Sequence, residues 1–333
     1  MLHRRILALL LLVGLFPGIW LRSPPPPFIL TETMTQQALP LPADCCAVGP
    51  LRVAGAWQLT SPSQRFGGYS ALVQPAPGRL LAISDGGYTL DFPTPGRAGP
   101  VAIRDLLVSG QGRKADRDTE AAQWDPVTEH LWVVSEGRDM VMRFDPALAL
   151  EAWARPAALR GWPDNTGPET MARLPDGRFA VICECRSRWR DRGAYPALLF
   201  PRDPTSGAEP LHFFVAGPWD YRPTDAAVLP DGRLLMVLRK LVWPFPARFD
   251  ARLALLDLDG AQGGAVVPMQ DLGALPAGVP MDNYEGLTLE PLGQGRMAAW
   301  LISDDNNAVF QRTLLLRMEF RLDELPAKQK ARR

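Results

Sequence analysis

Five stretches of this 333-residue chain follow one plan: an apolar strand, a tight turn, and a second apolar strand. This recurrence restricts the fold more than any other feature. The stretches open at Ser70, Glu120, Glu169, Thr224 and Glu285, which places them 50, 49, 55 and 61 residues apart. Their turns are Pro77-Gly78-Arg79, Asp125 to Thr128, Pro175 to Arg178, Pro230 to Arg233 and Gly293 to Arg296. Asp-Gly between two apolar runs, as at Asp176-Gly177 and Asp231-Gly232, is a hairpin signal because both residues tolerate positive φ. Further strand-like runs follow at Val141 to Phe144, Ala197 to Phe200, Leu253 to Leu256 and Leu314 to Met318. A period near 50 residues with about four strands per unit is the pattern of propeller blades. Apolar runs without strict alternation fit strands covered on both faces. A β-sandwich would also use hairpins, but it gives no reason for the same kind of polar residue at the same point of each repeat.

The expected fold is therefore all-β, a β-propeller with five visible inner hairpins. Five or six blades are open, because a degenerate sixth fits into the longer connections. The runs Leu51 to Leu59 and Thr313 to Leu322 each lack a hairpin partner, which predicts that they share one blade and close the ring. Only Asp145 to Leu159, bracketed by Pro146 and Pro156, reads as a short helix.

Ahead of the repeats, Arg4 and Arg5 precede an apolar run from Ile6 to Leu21. A basic start followed by an apolar run is an export signature. Its 16 residues fall short of the roughly 20 that span a bilayer as a helix. No small-x-small cleavage site follows Leu21, so a signal peptide and an uncleaved anchor over residues 6–21 both stand. The chain is expected to be exported, periplasmic or extracellular, with membrane contact only through that segment. Residues 22–50 are Pro-rich and read as a linker, and the propeller domain is placed at 51–325. Cys45, Cys46, Cys183 and Cys185 do not have zinc spacing and are read as buried or oxidised structural residues.

The start of a hairpin's first strand lies beside the end of its second. Both points tend to be acidic here. Glu120 should lie near Glu136, Glu169 near Glu184, and Glu285 near Asp304 and Asp305, while Asp85 stands opposite Ser70. The fourth repeat differs, with Thr224 or Asp225 opposite Arg239-Lys240. Rotational repetition would gather these residues at one mouth of the central channel, with Arg239, Lys240, Arg138 and Arg186 as the basic members. Clustered carboxylates call for a hard cation, and oxygen ligands suit Ca²⁺ or Mg²⁺. Arginine would supply bidentate contacts to phosphate. Such polar residues can equally pair among themselves and bind water.

Other chemistries find little support. Lys+Arg and Asp+Glu each count 36, and this balance lacks the basic face that a nucleic-acid binder needs. A nucleophilic serine needs a neighbouring base, and the three histidines, His3, His130 and His212, sit in the export segment, a turn and an outer strand. Asp304 to Asn307 lacks the alternating spacing of a calcium loop and reads as a polar turn.

Phe66-Gly67-Gly68-Tyr69-Ser70-Ala71-Leu72 followed by Ile83-Ser84-Asp85-Gly86-Gly87 resembles the opening of the phytase-like (esterase-like activity of phytase) domain. The same resemblance extends to Pro223 to Ala227 with its Pro-Asp-Gly-Arg turn, and to Asn283 to Leu287 with Ile302 to Asn306. It runs from about Ala54 to Phe320. It implies an exported bacterial propeller that hydrolyses phosphoesters or other esters of small molecules, with Ca²⁺ as the implied cofactor. The matching positions are Asp85, Glu120, Glu169, Glu285 and Asp304. In that frame Glu120, Glu169 and Glu285 are the catalytic candidates. Arg239, Lys240 and Arg138 would bind substrate, and Asp85, Glu136, Glu184 and Asp304 would hold metal. The chain departs from the pattern at Leu238-Arg239-Lys240, where an acid is expected before the basic pair. A non-enzymatic propeller that binds a ligand or protein partner at the same face is the competing reading.

Overall fold

The computed structural model describes residues 5–6, 29–42, 46–106, 118–163, 166–185, 194–218, 220–243, 248–308 and 310–328. Apart from Arg5 and Ile6, the expected export segment lies outside these residues, as does Arg186. No described helix is long and apolar enough to cross a membrane.

Three strands come first: β1 (Thr35–Ala38), β2 (Ala47–Val48) and β3 (Leu51–Thr60). Blade 1 is β4 (Tyr69–Ala76), β5 (Arg79–Ser84), β6 (Tyr88–Pro93) and β7 (Ala102–Asp105). Blade 2 is β8 (Thr119–Asp125), β9 (His130–Ser135), β10 (Met140–Phe144) and β11 (Leu150–Ala154). Blade 3 is β12 (Pro168–Arg173), β13 (Phe179–Cys183), β14 (Ala194–Phe200) and β15 (Leu211–Ala216). Blade 4 is β16 (Arg222–Val228), β17 (Leu234–Val242), β18 (Arg248–Leu256) and β19 (Val266–Ala274). Blade 5 is β20 (Asn283–Gly293), β21 (Arg296–Asp304) and β22 (Leu314–Arg321), completed by β3. The innermost strands β4, β8, β12, β16 and β20 touch one another in that order, and β20 returns to β4. Among the described residues the molecule is thus a closed ring of five blades, and the five hairpins of the sequence are its inner strands.

The expected closure is present. Strand β22 pairs antiparallel with β3, Leu314 opposite Gln58 and Leu316 opposite Ala56. The first long strand and the last therefore share blade 5, so the ring cannot open without breaking a ladder of backbone hydrogen bonds. Blades 3 and 4 are joined at their outer edges by a parallel pairing of β15 with β19, Phe214 opposite Val266.

The core is divided among the seams between blades. Leu80 and Ala82 of β5 pack with Trp300 and Ile302 of blade 5, whereas Leu81 and Ile83 pack with Leu131 and Val133 of blade 2. Alternate residues of a strand face opposite ways, so each blade presents one set to each neighbour. That is why these strands read as unbroken apolar runs. The remaining seams repeat the arrangement.

Two expectations need correction. Asp145 to Leu159 is not a helix: Leu150–Ala154 is the edge strand β11, paired with β10, and only Ala157–Leu159 forms a 3-10 turn. Residues 22–50 are not wholly a linker, because β1 pairs with β3 from Thr35 opposite Thr60, and β2 pairs with the start of β3. The prolines of that stretch fall outside these two short strands, and an edge strand asks little of its sequence.

Candidate functional site

Every inner hairpin carries a β-bulge at the same place. The register skips Ser70 in blade 1, Glu120 in blade 2, Glu169 in blade 3, Thr224 in blade 4 and Glu285 in blade 5. A bulge leaves one residue outside the ladder and re-aims its side chain. Repeated five times round an axis, it builds a ring of three glutamates and two hydroxyls. The hydroxyls stitch the ring together: Ser70 Oγ donates to the carbonyl of Thr119 in the next blade, and Thr224 Oγ1 donates to that of Tyr284 at 3.2 Å.

A second tier lies on each second strand's side of the hairpin, one residue past the partner of the residue before the bulge, formed by Asp85, Glu136, Glu184, Arg239 and Asp304. A third tier lies two residues before each bulge, formed by Gly68, Asp118, Gly167, Arg222 and Asn283. The glycines are there for space. Gly167 N–H donates to Glu136 Oε1, and a Cβ at Gly167 would come within 2.8 Å of that oxygen. Gly68 adopts φ +66°, a left-handed backbone that favours glycine, beside the Asp85 carboxylate.

On the side formed by blades 3 to 5, one guanidinium compensates the acids. Arg239 Nε donates to Glu184 Oε1 at 3.0 Å, and its Nη1 donates to Asn283 Oδ1 at 2.8 Å and to Glu285 Oε1. Asn283 Nδ2 also donates to Glu285 Oε1, at 2.7 Å. Arg222 Nη1 stands 3.8 Å from Glu184 Oε2. Burial alone would lower the Arg239 pKa, but Glu285, Glu184 and Glu169 hold it above its ordinary value. Burial raises the Glu285 carboxyl while Arg239 pulls it down. Glu169 is pushed well up by burial and then by Glu184, again with Arg239 opposing. Asp304 is pushed up to about 8 by burial, then by Glu285, against an ordinary value of 3.8.

On the blade 2 side, no cation among the described residues pairs with Glu120. Asp118, Glu120 and Glu136 bring one carboxylate oxygen each within 4.8 Å of one another. Burial, then Glu169, Glu285, Asp118 and Glu136, push the Glu120 pKa well up. Its carboxylate accepts no hydrogen bond from any described residue. It is half-buried.

The structure thus gathers Asp85, Glu120, Glu136, Glu169, Glu184, Glu285, Asp304 and Arg239 at one mouth. Of the four expected metal ligands, Glu136 alone falls in the tight oxygen cluster, together with Glu120, which was expected to be catalytic. Arg138 closes the 3-10 turn that follows β9, one turn from Glu136. Lys240 follows Arg239 on the strand and so faces the other way. Its Nζ stands 3.6 Å from Asp220 and over the Tyr221 ring. Asp225, weighed as an alternative to Thr224, is buried and accepts from the Leu287 backbone N–H instead. Asp118, Arg222 and Asn283 were missed by sequence reasoning. Their common offset of two residues before each bulge is the signal that would have found them. Cys183 and Cys185 form a disulfide that brackets Glu184, and Cys46 is also disulfide-bonded. Cys45 lies outside the described residues.

Among solved structures, a luciferin-regenerating enzyme aligns with TM-score 0.42 and 10% identity over 81% of this chain and 84% of that one. A protein described as exported, from Bacteroides fragilis NCTC 9343, aligns with TM-score 0.38 and 10% identity over 84% and 97%. Scores this low bear on neither fold nor function. No curated protein matches the chain. The Phytase-like family model, described as "Esterase-like activity of phytase", matches residues 64–307, a span that takes in all five inner hairpins and every bulge. The chain belongs to the Phytase-like family.

Proposed function

We propose that this protein is an exported hydrolase of small phosphate esters, working with a divalent cation at the channel mouth. The observation that carries the reading is the blade 2 side, where Asp118, Glu120 and Glu136 converge and Glu120 has no hydrogen-bond donor or ion pair among the described residues. The donors are all carboxylate oxygens, which suits Ca²⁺ or Mg²⁺ and not the sulfur and nitrogen donors favoured by zinc. These three residues would hold the ion, and when bound it would neutralise phosphate charge and acidify a bound water. Glu169, whose pKa burial and then Glu184 push well above the ordinary range, is suited to deliver a proton to a leaving-group oxygen. Arg239 orients Glu285 and Glu184 through Nε and Nη1, and its Nη2 makes no hydrogen bond among the described residues. That edge remains for a substrate oxygen, with Arg222 and Arg138 nearer the rim. Lys240, engaged with Asp220, contributes at most through its field.

A second reading is a propeller that binds a ligand without turning it over. It is favoured by Arg239, which already neutralises Glu184 and Glu285 from within. A panel of phosphomonoesters, phosphodiesters and carboxylic esters, assayed with calcium and with chelator, separates the two. Calcium-dependent hydrolysis abolished by Glu169→Gln supports the hydrolase. Saturable binding of a phosphate ester with no turnover supports the binder.

A further inference from the structure

We propose that the seam between blades 4 and 5 holds a second binding site, for an amphipathic organic anion with an apolar body and one oxyanion head. The cavity there measures about 870 Å³, within the range of small-molecule pockets. Leu241, Phe249, Leu275, Val279, Met281 and Phe310 give it apolar walls. Phe310 is 97% exposed and Leu241 44%, so large apolar side chains are left facing water around a concavity, the arrangement that marks binding surfaces.

Two acids and two arginines lie at the wall, and the acids are the ones held by hydrogen bonds. Asp250 accepts from the Tyr221 hydroxyl at 2.6 Å. Asp282 accepts from the backbone N–H of Asn283 at 3.0 Å and of Arg312 at 2.9 Å, and from Gln311 Nε2 at 3.3 Å. Both acids are therefore occupied. The side chains of Arg248 and Arg312, exposed at the same wall, make no ion pair or hydrogen bond among the described residues. The Arg312 charge acts on Asp282 without a hydrogen bond to it, so both guanidinium groups keep their donors for a ligand that is apolar at one end and anionic at the other. The site is separate from the carboxylate mouth, though it adjoins it: Asp282 precedes Asn283, which holds Glu285 and Arg239. Occupancy requires neither metal nor turnover.

The test is fluorescence titration of the full chain, in chelator, with 1-anilinonaphthalene-8-sulfonate and with N-phenyl-1-naphthylamine, the same body without the sulfonate. One saturable sulfonate site is expected, bound at least tenfold more tightly than the uncharged analogue. Arg248→Glu with Arg312→Glu should weaken the sulfonate at least tenfold and the uncharged probe less than twofold. Both positions are exposed, so the fold should persist, and an unchanged melting curve verifies it. Met281→Trp, which fills the chamber, should weaken both probes. Should that variant not fold, the arginine pair decides alone. Equal affinity for the two probes, or sulfonate binding indifferent to the charge reversal, would overturn the proposal.

Discussion

The two sides of the channel mouth are made from equivalent positions of one repeat, yet their charges are balanced in different ways. In blades 3 to 5 the end of the fourth hairpin carries Arg239 where the other blades carry an acid, and this cation reaches Glu184 and Glu285 together. In blade 2 the same tiers carry Asp118, Glu120 and Glu136, and no cation among the described residues pairs with Glu120. The comparison teaches that one exception in the repeat gives half of the ring a permanent internal counter-ion. On the proposed reading, Glu120 takes its compensation from solution, as protons or as a metal.

The largest expected effect comes from removing the internal cation. Arg239→Leu leaves Glu184 and Glu285 buried without their guanidinium, and breaking a buried pair on one side costs about 3–5 kcal/mol. At about 2–4 °C per kcal/mol for domains approaching this size, the melting temperature in chelator at pH 7.5 should fall by roughly 10 °C. Lowering the pH to 5 should recover part of the loss as the carboxyls take protons. A fall under about 2 °C would mean that Arg239 does not carry the compensation assigned to it.

Next in size is the pH dependence of the metal-free protein. Glu120, Glu169, Glu285 and Asp304 all have carboxyl pKa values raised in the folded state. A folded state that holds protons more tightly than the unfolded chain loses stability as pH rises. The contribution is complete below the unfolded values near 4 and is lost as pH climbs through the folded ones, which for Asp304 means up to about 8. Melting temperature in chelator should therefore decline from pH 5 to pH 8. Saturating calcium should flatten that decline. A rising profile over the same interval would contradict the assigned shifts.

Glu120→Gln should act in the opposite direction from Arg239→Leu. It removes a charge that no described residue pairs with, so in chelator at pH 7.5 it should raise stability by about 1 kcal/mol, or a few degrees. The smallest effect is expected from Glu285→Gln. Its amide oxygen can still accept from Arg239, which also keeps Glu184, so the change should stay within about 1 kcal/mol. If Glu285→Gln stabilises the chelated protein more than Glu120→Gln does, the two sides have been assigned the wrong way round.

Much of this was legible in the sequence, because a propeller converts position in a repeat into position around an axis. The five hairpins, the shared blade of the first and last long strands, and the acids at Glu120, Glu136, Glu169, Glu184, Glu285 and Asp304 follow from that one rule. Arg239 was visible as the exception. What was hidden obeys other physics. Strand β11 carries exposed Leu150 and Trp153 on an outer edge, so it shows no clean alternation and was mistaken for a helix. Asp118 precedes its strand by one residue and belongs to no apolar run. Arg239 and Lys240 look like a pair in sequence, but adjacent strand residues face opposite sides. The seam chamber is walled largely by connections between strands, which follow no repeat.

The central claim is that the cluster of Asp118, Glu120 and Glu136 takes a cation from solution. It is tested most directly by calorimetric titration of calcium into chelator-treated protein, wild type beside Glu120→Gln and Glu285→Gln. One saturable site is expected in the wild type, lost in Glu120→Gln and retained in Glu285→Gln. No binding in the wild type, or binding unchanged by Glu120→Gln, would contradict the account.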